Sequence, residues 1–305
     1  MNPIKSIMPK LMEDIDLTIV ESENVFNYLV SGKASEVEMA AFLATLSVKG
    51  SCSKELIGAV NALKPFVKNP LELDVSTIDI VGTGGDGLKT YNISTAVAFI
   101  VASNGLYVAK HGNTAVSSKS GASDVLKELG INININKEII NKCLKETNMC
   151  FLFAPNYNNA FKYVAKVRKE LSFRTIFNLL GPLLNPVRAK RQLLGVFSNQ
   201  YLKVLAETLQ AQNSIKSWVV NGSDGMDEIT LTGITKVVEL DNNQIKEFEI
   251  NPEKYNFKLC SPESLQGGEP KYNAKKMIRL FEGEKNSYRD IVVLNAAAAF
   301  CVADS

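Results

Sequence analysis

The sequence predicts an α/β protein in which a small all-helical N-terminal domain precedes a larger α/β domain with a mostly parallel central sheet flanked by helices. Helix signals and apolar faces occupy the first part of the chain, and strand–loop–helix units follow it. Such units at this spacing build parallel sheets. Polar, glycine-rich loops come where two of the strands end, which is the edge of an open α/β sheet where ligands bind.

Composition narrows the class of protein. The 305 residues carry a formal net charge of +2, with 46% apolar and 22% charged residues, as is ordinary for an enzyme-sized globular chain. This balance gives no electrostatic support for a nucleic-acid partner, and no run of about 18 apolar residues predicts a membrane span. Five scattered cysteines without a C-x-x-C pair predict reduced thiols and a cytoplasmic location.

Changes from helix signals to strand–loop–helix signals along the chain predict the domain boundaries. The helical domain is expected to cover residues 1–70, with a returning helical segment near 163–190. The α/β domain is expected to cover 71–162 and 191–305. The last fifteen residues, IVVLNAAAAFCVADS, begin an apolar helix without a polar finish, which predicts that one or two final helices are missing.

The helical domain carries clear start and stop signals. Ser35 and Glu38 have the spacing of a capping box before an apolar segment, and Gly50 suits the residue that follows a helix. A further helix is predicted from Ser53 to Lys64, ending at Pro65.

The α/β domain alternates strand and helix signals. The predicted strands are Val75–Val81, Leu106–Ala109, Gln192–Phe197 and Ser217–Gly222, and the predicted helices are Ile93–Ser103, Asp124–Gly130 and Tyr201–Gln212. Residues 234–255, with Asp241-Asn242-Asn243 in the middle, predict a β-hairpin.

The first polar loop, DIVGTGGDGLKT, contains G-x-G-x-x-G at Gly82, Gly84 and Gly87. A dinucleotide-binding fingerprint needs an acidic residue about 20 positions later, and none is present there. A P-loop needs Lys directly after the last glycine, but Leu88 intervenes. The alternatives left open are a tight turn and a nest of backbone N–H groups for an anion, next to the N-terminus of a buried helix.

Two further segments add candidate site residues. Lys110-His111-Gly112-Asn113-Thr114 and the residues up to Gly121 follow a strand, where Lys110 or Lys119 is expected to neutralise phosphate charge. His111 is considered as a substrate contact, as a general base and as a structural residue. Asp227-Glu228 follows another strand, and adjacent carboxylates suit Mg²⁺, although most such pairs are simply solvated.

Taken together, these motifs resemble the anthranilate phosphoribosyltransferase family of the tryptophan pathway. The motifs are GTGGD at Gly82–Asp86, NIST at Asn92–Thr95, KHGN…SS at Lys110–Ser118, VRKEL…RTIFNLLGPLLNP at Val167–Pro186, and DE at Asp227-Glu228. The resemblance implies transfer of a phosphoribosyl group from phosphoribosyl pyrophosphate to anthranilate, with Mg²⁺ as cofactor and a homodimer formed through the helical domain. No covalent nucleophile, nucleic acid or membrane is implied.

The resemblance also implies residue roles. The implied donor-binding residues are Gly82, Gly85, Asp86, Thr90, Asn92, Ile93, Ser94, Thr95, Lys110, His111, Gly112, Asn113, Thr114, Ala115, Val116, Ser117 and Ser118. The implied anthranilate-binding residues are Gly82, Asn113 and Arg168, and the implied metal ligands are Ser94, Asp227 and Glu228.

Several positions depart from the family pattern. Thr114 stands where the family usually has Arg, Gly121-Ala122-Ser123-Asp124 where it has Gly-Ser-Ala-Asp, Asn158-Asn159 where it has His-Pro, and Asn221 where a histidine is common. These changes bear on donor affinity and acceptor choice. The alternatives are a pyrimidine nucleoside phosphorylase of the same fold and a non-catalytic relative that binds nucleic acid.

Overall fold

The computed structural model describes residues 2–68, 71, 73, 75–114 and 119–305. Four helices open the chain: α1 (Pro3–Met12), α2 (Ile19–Val30), α3 (Glu36–Lys49) and α4 (Ser53–Leu63). Helix α3 begins and ends as its sequence predicts. The Ser35 hydroxyl accepts from the Glu38 amide at 3.3 Å, the Glu38 carboxylate accepts from the Ser35 amide at 3.0 Å, and Gly50 follows with φ +83°.

Seven strands form one sheet. They are β1 (Ile78–Gly82), β2 (Val108–Gly112), β3 (Met149–Phe153), β4 (Arg191–Gly195), β5 (Lys216–Gly222), β6 (Thr235–Asp241) and β7 (Gln244–Ile250). Their order is β3-β2-β1-β4-β5-β6-β7; the first five are parallel and the last two antiparallel. The predicted, mostly parallel sheet is therefore confirmed. The chain reverses direction of winding between β1 and β4, the switch point at which such sheets bind ligands.

The remaining helices pack around the sheet or against the helices that open the chain. They are α5 (Ile93–Ser103), α6 (Ala122–Glu128), α7 (Lys137–Thr147), α8 (Ala154–Tyr157), α9 (Ala165–Leu171), α10 (Phe177–Leu180), α11 (Leu202–Ala211), α12 (Pro270–Phe281) and α13 (Ser287–Ala303). Helix α5 is apolar on nearly every side because it is packed between the sheet and α13. The sequence analysis assigned no element to α7 or α12. Within the described residues, no helix is both long and apolar enough to cross a membrane.

The apolar core on one face of the sheet is continuous with the N-terminal helices. Phe26 of α2 lies 5.6 Å, centroid to centroid, from Phe177 of α10, so the segment that contains α9 and α10 packs on the helices that open the chain. Side chains from β4 and α11, such as Leu194 and Leu205, belong to the same core. The helical part is thus fixed against the sheet. The division at residues 70, 162 and 190 stays a prediction.

Candidate active site

An acidic pair, Asp227-Glu228, follows β5 and is held at the carboxyl end of the sheet by its own loop. Asp224 organises that loop: one of its carboxylate oxygens accepts from the hydroxyls of Thr230 at 2.8 Å and Thr232 at 2.6 Å. Asn295 of α13 fixes the end of the loop through both backbone groups of Ile229. The pair therefore has a defined position relative to the strands.

Two glycines make room for Asp227 at the switch point. Gly82 ends β1 and Gly195 ends β4, and the two are paired in register. A β-carbon on Gly82 would overlap the Asp227 carboxylate, and one on Gly195 would overlap the Asp227 backbone. The Gly84 amide donates to Asp227 Oδ2 at 2.6 Å. Neither strand end tolerates a side chain, because the acidic loop crosses both.

Glu228 meets the N-terminus of α5 instead. The Ser94 amide donates to Glu228 Oε1 at 3.1 Å, and Lys110 Nζ donates to the Ser94 hydroxyl at 3.1 Å. The same ammonium donates to the Ile80 carbonyl oxygen at 2.5 Å. The implied metal ligands Ser94, Asp227 and Glu228 thus come from two separate loops and converge on one cleft.

Electrostatics in this cleft favour a bound cation. Burial, and then the nearby Asp86, raises the pKa of Asp227, while burial, and then Asp227, raises the pKa of Glu228. The buried Lys110 supplies one balancing charge, although burial lowers its own pKa. Crowded carboxylates and a hydroxyl are ligands for a hard divalent ion, so these residues fit Mg²⁺. We call the space between the glycine loop 83–90, the start of α5 and Asp227-Glu228 the carboxyl-end cleft.

The glycine loop forms an open backbone surface on this cleft. Gly84, Gly85 and Gly87 all have positive φ, between +66° and +81°. The loop is tied to β4, because the Thr83 amide donates to the Gly195 carbonyl oxygen at 2.9 Å. Residues with positive φ and no side chain leave N–H groups free to face an anion.

Asn92 joins three segments around the cleft. Its side-chain amide donates to the Ser120 carbonyl oxygen at 3.0 Å, and its side-chain oxygen accepts from Asn273 of α12 at 2.9 Å. Thr90 pairs with Gln266 in an isolated bridge. The glycine loop, the loop after β2 and the segment before α12 are therefore held together by the Asn92 side chain and by backbone hydrogen bonds.

Two predicted donor contacts are placed differently from the expectation. Lys110 is 2% exposed, and its ammonium is directed to Ser94 and Ile80 rather than to open space. His111 is 3% exposed, and its Nε2 faces the Asn158 amide at 3.4 Å. Both lie on β2, whose side chains are covered by neighbouring strands and loops. Lys110 therefore acts on the cleft through Ser94, and Lys119 is the exposed cation of this loop.

The rest of the loop after β2 is only partly described. Gly112 ends the strand, and Asn113 and Thr114 are exposed beyond it; the Thr114 amide donates to Asn113 Oδ1 at 2.8 Å. The predicted donor residues Ala115, Val116, Ser117 and Ser118 lie outside the described residues. Ile93 and Thr95 are buried in α5, so only their backbone groups are available to a ligand.

Two arginines in and after α9 pack against aromatic rings. The Arg168 guanidinium lies 5.7 Å from the Phe161 ring centroid and 5.3 Å from that of Phe177, and burial lowers its pKa. The sequence analysis did not single out Arg174, which lies 4.5 Å from the Phe197 ring centroid, next to Gly85. Its place in SFRTIF, within the motif that carries the family resemblance, was the available signal.

The departures from the family pattern have structural partners here. Asn221 donates to the Val196 carbonyl oxygen at 2.7 Å and so braces β4 against the acidic loop. Asn158 is nearly buried against His111. Gly121 donates to the Asp124 carboxylate at 2.9 Å, while the buried Ser123 hydroxyl has no hydrogen-bond partner among the described residues. Two of the replaced positions thus serve the fold directly.

Comparison with known proteins decides the family. The model of the glycosyl transferase family a/b domain matches residues 74–305, and that of the family's helical bundle domain matches residues 5–65. Anthranilate phosphoribosyltransferase of Bradyrhizobium sp. (strain BTAi1) is 45% identical, over 99% of this chain and 90% of its own length. The Clostridium beijerinckii enzyme of that name is 46% identical, over 99% and 89%. This chain belongs to the anthranilate phosphoribosyltransferase family.

Solved structures agree with that membership. Anthranilate phosphoribosyltransferase from Thermus thermophilus aligns with a TM-score of 0.90 at 38% identity, covering 100% of this chain and 90% of the other. The Saccharomyces cerevisiae enzyme in complex with PRPP and Mg aligns with a TM-score of 0.88 at 27% identity, covering 99% and 88%. The chain is accordingly a glycosyltransferase with the predicted helical and α/β parts, and neither the phosphorylase nor the nucleic-acid-binding alternative is supported.

Proposed function

We propose that this chain transfers the phosphoribosyl group of 5-phosphoribosyl 1-pyrophosphate to the amine of anthranilate, giving N-(5-phosphoribosyl)anthranilate and pyrophosphate, with Mg²⁺ as cofactor. The observation that carries the proposal is the convergence of Asp227, Glu228 and Ser94 with the glycine loop at the switch point of the sheet. A diphosphate needs both a cation and N–H donors, and this cleft offers both. The named relatives catalyse the same transfer.

Each group of residues in the carboxyl-end cleft has its own proposed role. The N–H groups of the glycine loop and of the first turn of α5 face the donor phosphates, where the helix dipole favours negative charge. Ser94, Asp227 and Glu228 hold Mg²⁺, and Lys110 fixes Ser94 in place. When bound, Mg²⁺ stabilises the negative charge of the departing pyrophosphate.

The acceptor is bound on the side of α9. The Arg168 guanidinium is flanked by two phenylalanine rings and makes no hydrogen bond or ion pair with any described residue, so its donors are free for the carboxylate of anthranilate. Gly82 and Asn113 complete the proposed acceptor site. The aromatic amine attacks the anomeric carbon itself, so much of the rate comes from positioning the two substrates.

The decisive experiment follows the loss of anthranilate fluorescence in the presence of phosphoribosyl pyrophosphate. We expect turnover with Mg²⁺ and none after chelation of the metal. As a counter-test, thymidine or uridine with phosphate should release no base. Folded protein that turns over neither pair with Mg²⁺ present would overturn the assignment.

A homodimer through the helical part is the proposed assembly. Val37 and Val48 on α3 are 78% and 91% exposed, and because they are about three helical turns apart they lie on the same face of the helix. Light scattering should give twice the chain mass of 33.4 kDa, and Val48→Asp should lower it. The cytoplasmic location, and the lack of nucleic-acid and membrane partners, stay predictions.

A further inference from the structure

A cavity of about 180 Å³ lies at the amino end of the sheet, opposite the carboxyl-end cleft. Lys190 directly precedes β4, and Ser214 lies two residues before β5. A five-residue strand spans about 16 Å, so the cavity is separated from the cleft by the length of the sheet. We call it the rear pocket; the residues used below are Lys64, Asn185, Arg188, Lys190, Gln212 and Ser214.

The rear pocket concentrates positive charge. Lys64, Arg188 and Lys190 line it, and no carboxylate is present among its described lining residues. Burial, followed by the charges of Arg188 and Lys190, lowers the pKa of Lys64. These three cations are close enough to repel one another, and none of them is paired with a described carboxylate.

Neighbouring cations at the same edge of the sheet, outside the pocket, are paired with a carboxylate. Arg191 and Lys216 both form ion pairs with Asp304, at 2.7 and 2.6 Å. At this edge of the sheet, these two cations outside the pocket are therefore neutralised by a carboxylate. Like charges left together in a concave site raise the local concentration of an anion.

Gln212 lines the pocket and fixes one of its cations. Lys190 Nζ donates to the Gln212 carbonyl oxygen at 3.2 Å, so the negative end of α11 is covered by a cation. Gln212 Nε2 has no exposed surface, so the side-chain amide does not face the pocket. The polar groups that a ligand meets here are therefore those of the lining cations.

Volume indicates the class of ligand. At roughly 30 Å³ per water molecule, the pocket holds about six waters, which is room for a tetrahedral oxyanion or a diphosphate. We infer that the rear pocket is an anion-binding site for a small multivalent oxyanion of the phosphate class, free or as a monoester. Its negative charge is balanced by Lys64, Arg188 and Lys190.

The test is calorimetric titration of the full chain with inorganic phosphate at low ionic strength, without Mg²⁺. Lys190→Met keeps the aliphatic stem and removes the charge, and we expect it to weaken phosphate binding at least tenfold. Lys203→Met is the matched control, because Lys203 is exposed on α11, about 14 Å along the helix from the pocket. Its affinity should stay within twofold of wild type.

Two further variants separate this site from the carboxyl-end cleft and from misfolding. Asp227→Asn with Glu228→Gln should leave rear-pocket binding intact. Lys64→Met removes a second of the lining charges and should weaken binding several-fold even if Lys190→Met does not fold. Ribose 5-phosphate in place of phosphate distinguishes a monoester ligand, which binds more tightly, from the free ion. Unchanged affinity in Lys190→Met and Lys64→Met would overturn the inference, as would a phosphate-soaked crystal with phosphate only at the glycine loop.

Discussion

The two ends of the central sheet carry opposite charge. At the carboxyl end, Asp86, Asp227 and Glu228 crowd together with one buried lysine; at the amino end, Lys64, Arg188 and Lys190 line a pocket in which no described residue is a carboxylate. A sheet has only a small net dipole of its own. The loops therefore decide which sign of charge each end presents, and one layer of strands supports both.

The two ends also differ in how they are held. At the carboxyl end, backbone approaches backbone so closely that β1 and β4 must end in glycine. At the amino end, long cationic side chains reach into a cavity from flexible stems. Substitutions are therefore expected to have large effects at the first end and small ones at the second.

The largest effect is expected from removing the acidic pair. Asp227→Asn with Glu228→Gln keeps the shape of the loop but removes the ligands proposed for Mg²⁺. We expect kcat/KM to fall at least about a thousandfold, or about 4 kcal/mol, and the Mg²⁺ dependence to disappear. Initial rates across a Mg²⁺ titration measure this. Kinetics like those of the wild type would remove both residues from the site.

The close approach of the Asp227 backbone to Gly195 is the next feature to test. Gly195→Ala forces a β-carbon into the Asp227 backbone, and we expect the free energy of unfolding to fall by about 3 kcal/mol. Gly181→Ala is the control, since Gly181 has helical backbone angles and nothing lies within 4 Å of its added β-carbon. Urea unfolding compares them; equal losses would show that the crossing of the acidic loop is not tight.

The buried layer between the two ends predicts a pH effect. Burial lowers the pKa of His111 from 6.5 to about 4. The unfolded chain thus binds the proton first as the pH falls, so this stabilisation is complete above pH 6.5 and is lost toward pH 4, by about 1.4 kcal/mol per pH unit. His111→Gln should flatten that part of the stability curve. Because the chain has one histidine, an unchanged slope would mean that His111 is accessible to protons in the fold.

The smallest effect is expected at the rear pocket without a ligand. Lys190→Met relieves repulsion from Arg188 and Lys64, so stability at low salt should stay within about 0.5 kcal/mol of wild type or rise slightly. Thermal unfolding in phosphate-free buffer measures it. A loss of more than about 1 kcal/mol would show that the hydrogen bond from Lys190 to the Gln212 carbonyl oxygen outweighs the relieved repulsion, and would end the contrast between the two ends.

Local signals in the sequence predicted local structure well. The capping box of α3, the stop at Gly50 and the hairpin of β6 and β7 follow from short-range rules, since Asn242 and Asn243 adopt the positive φ that a tight hairpin turn requires. The glycine loop and the acidic pair were also placed correctly at carboxyl ends of strands. Because the strands alternate with helices, the strands run parallel and their carboxyl ends lie at one edge of the sheet.

Features that depend on contacts distant in sequence were not predictable in this way. Nothing in QLLGVF marks Gly195, because its role appears only when β4 lies beside β1 and the acidic loop crosses both. Lys110 and His111 read as exposed loop residues, yet β3 and the segment around Asn158 cover them. Arg174 lies near Gly85 only through tertiary folding.

The paired glycines at the ends of β1 and β4 have a practical consequence for engineering. Consider a library that randomises the residues around the carboxyl-end cleft in order to accept a bulkier aromatic amine. Many of its clones would be lost because they carry a side chain at position 82 or 195. Surviving clones should keep glycine at both positions while the exposed Thr114 diversifies. Deep sequencing of such a selection would map the steric boundary of the site directly.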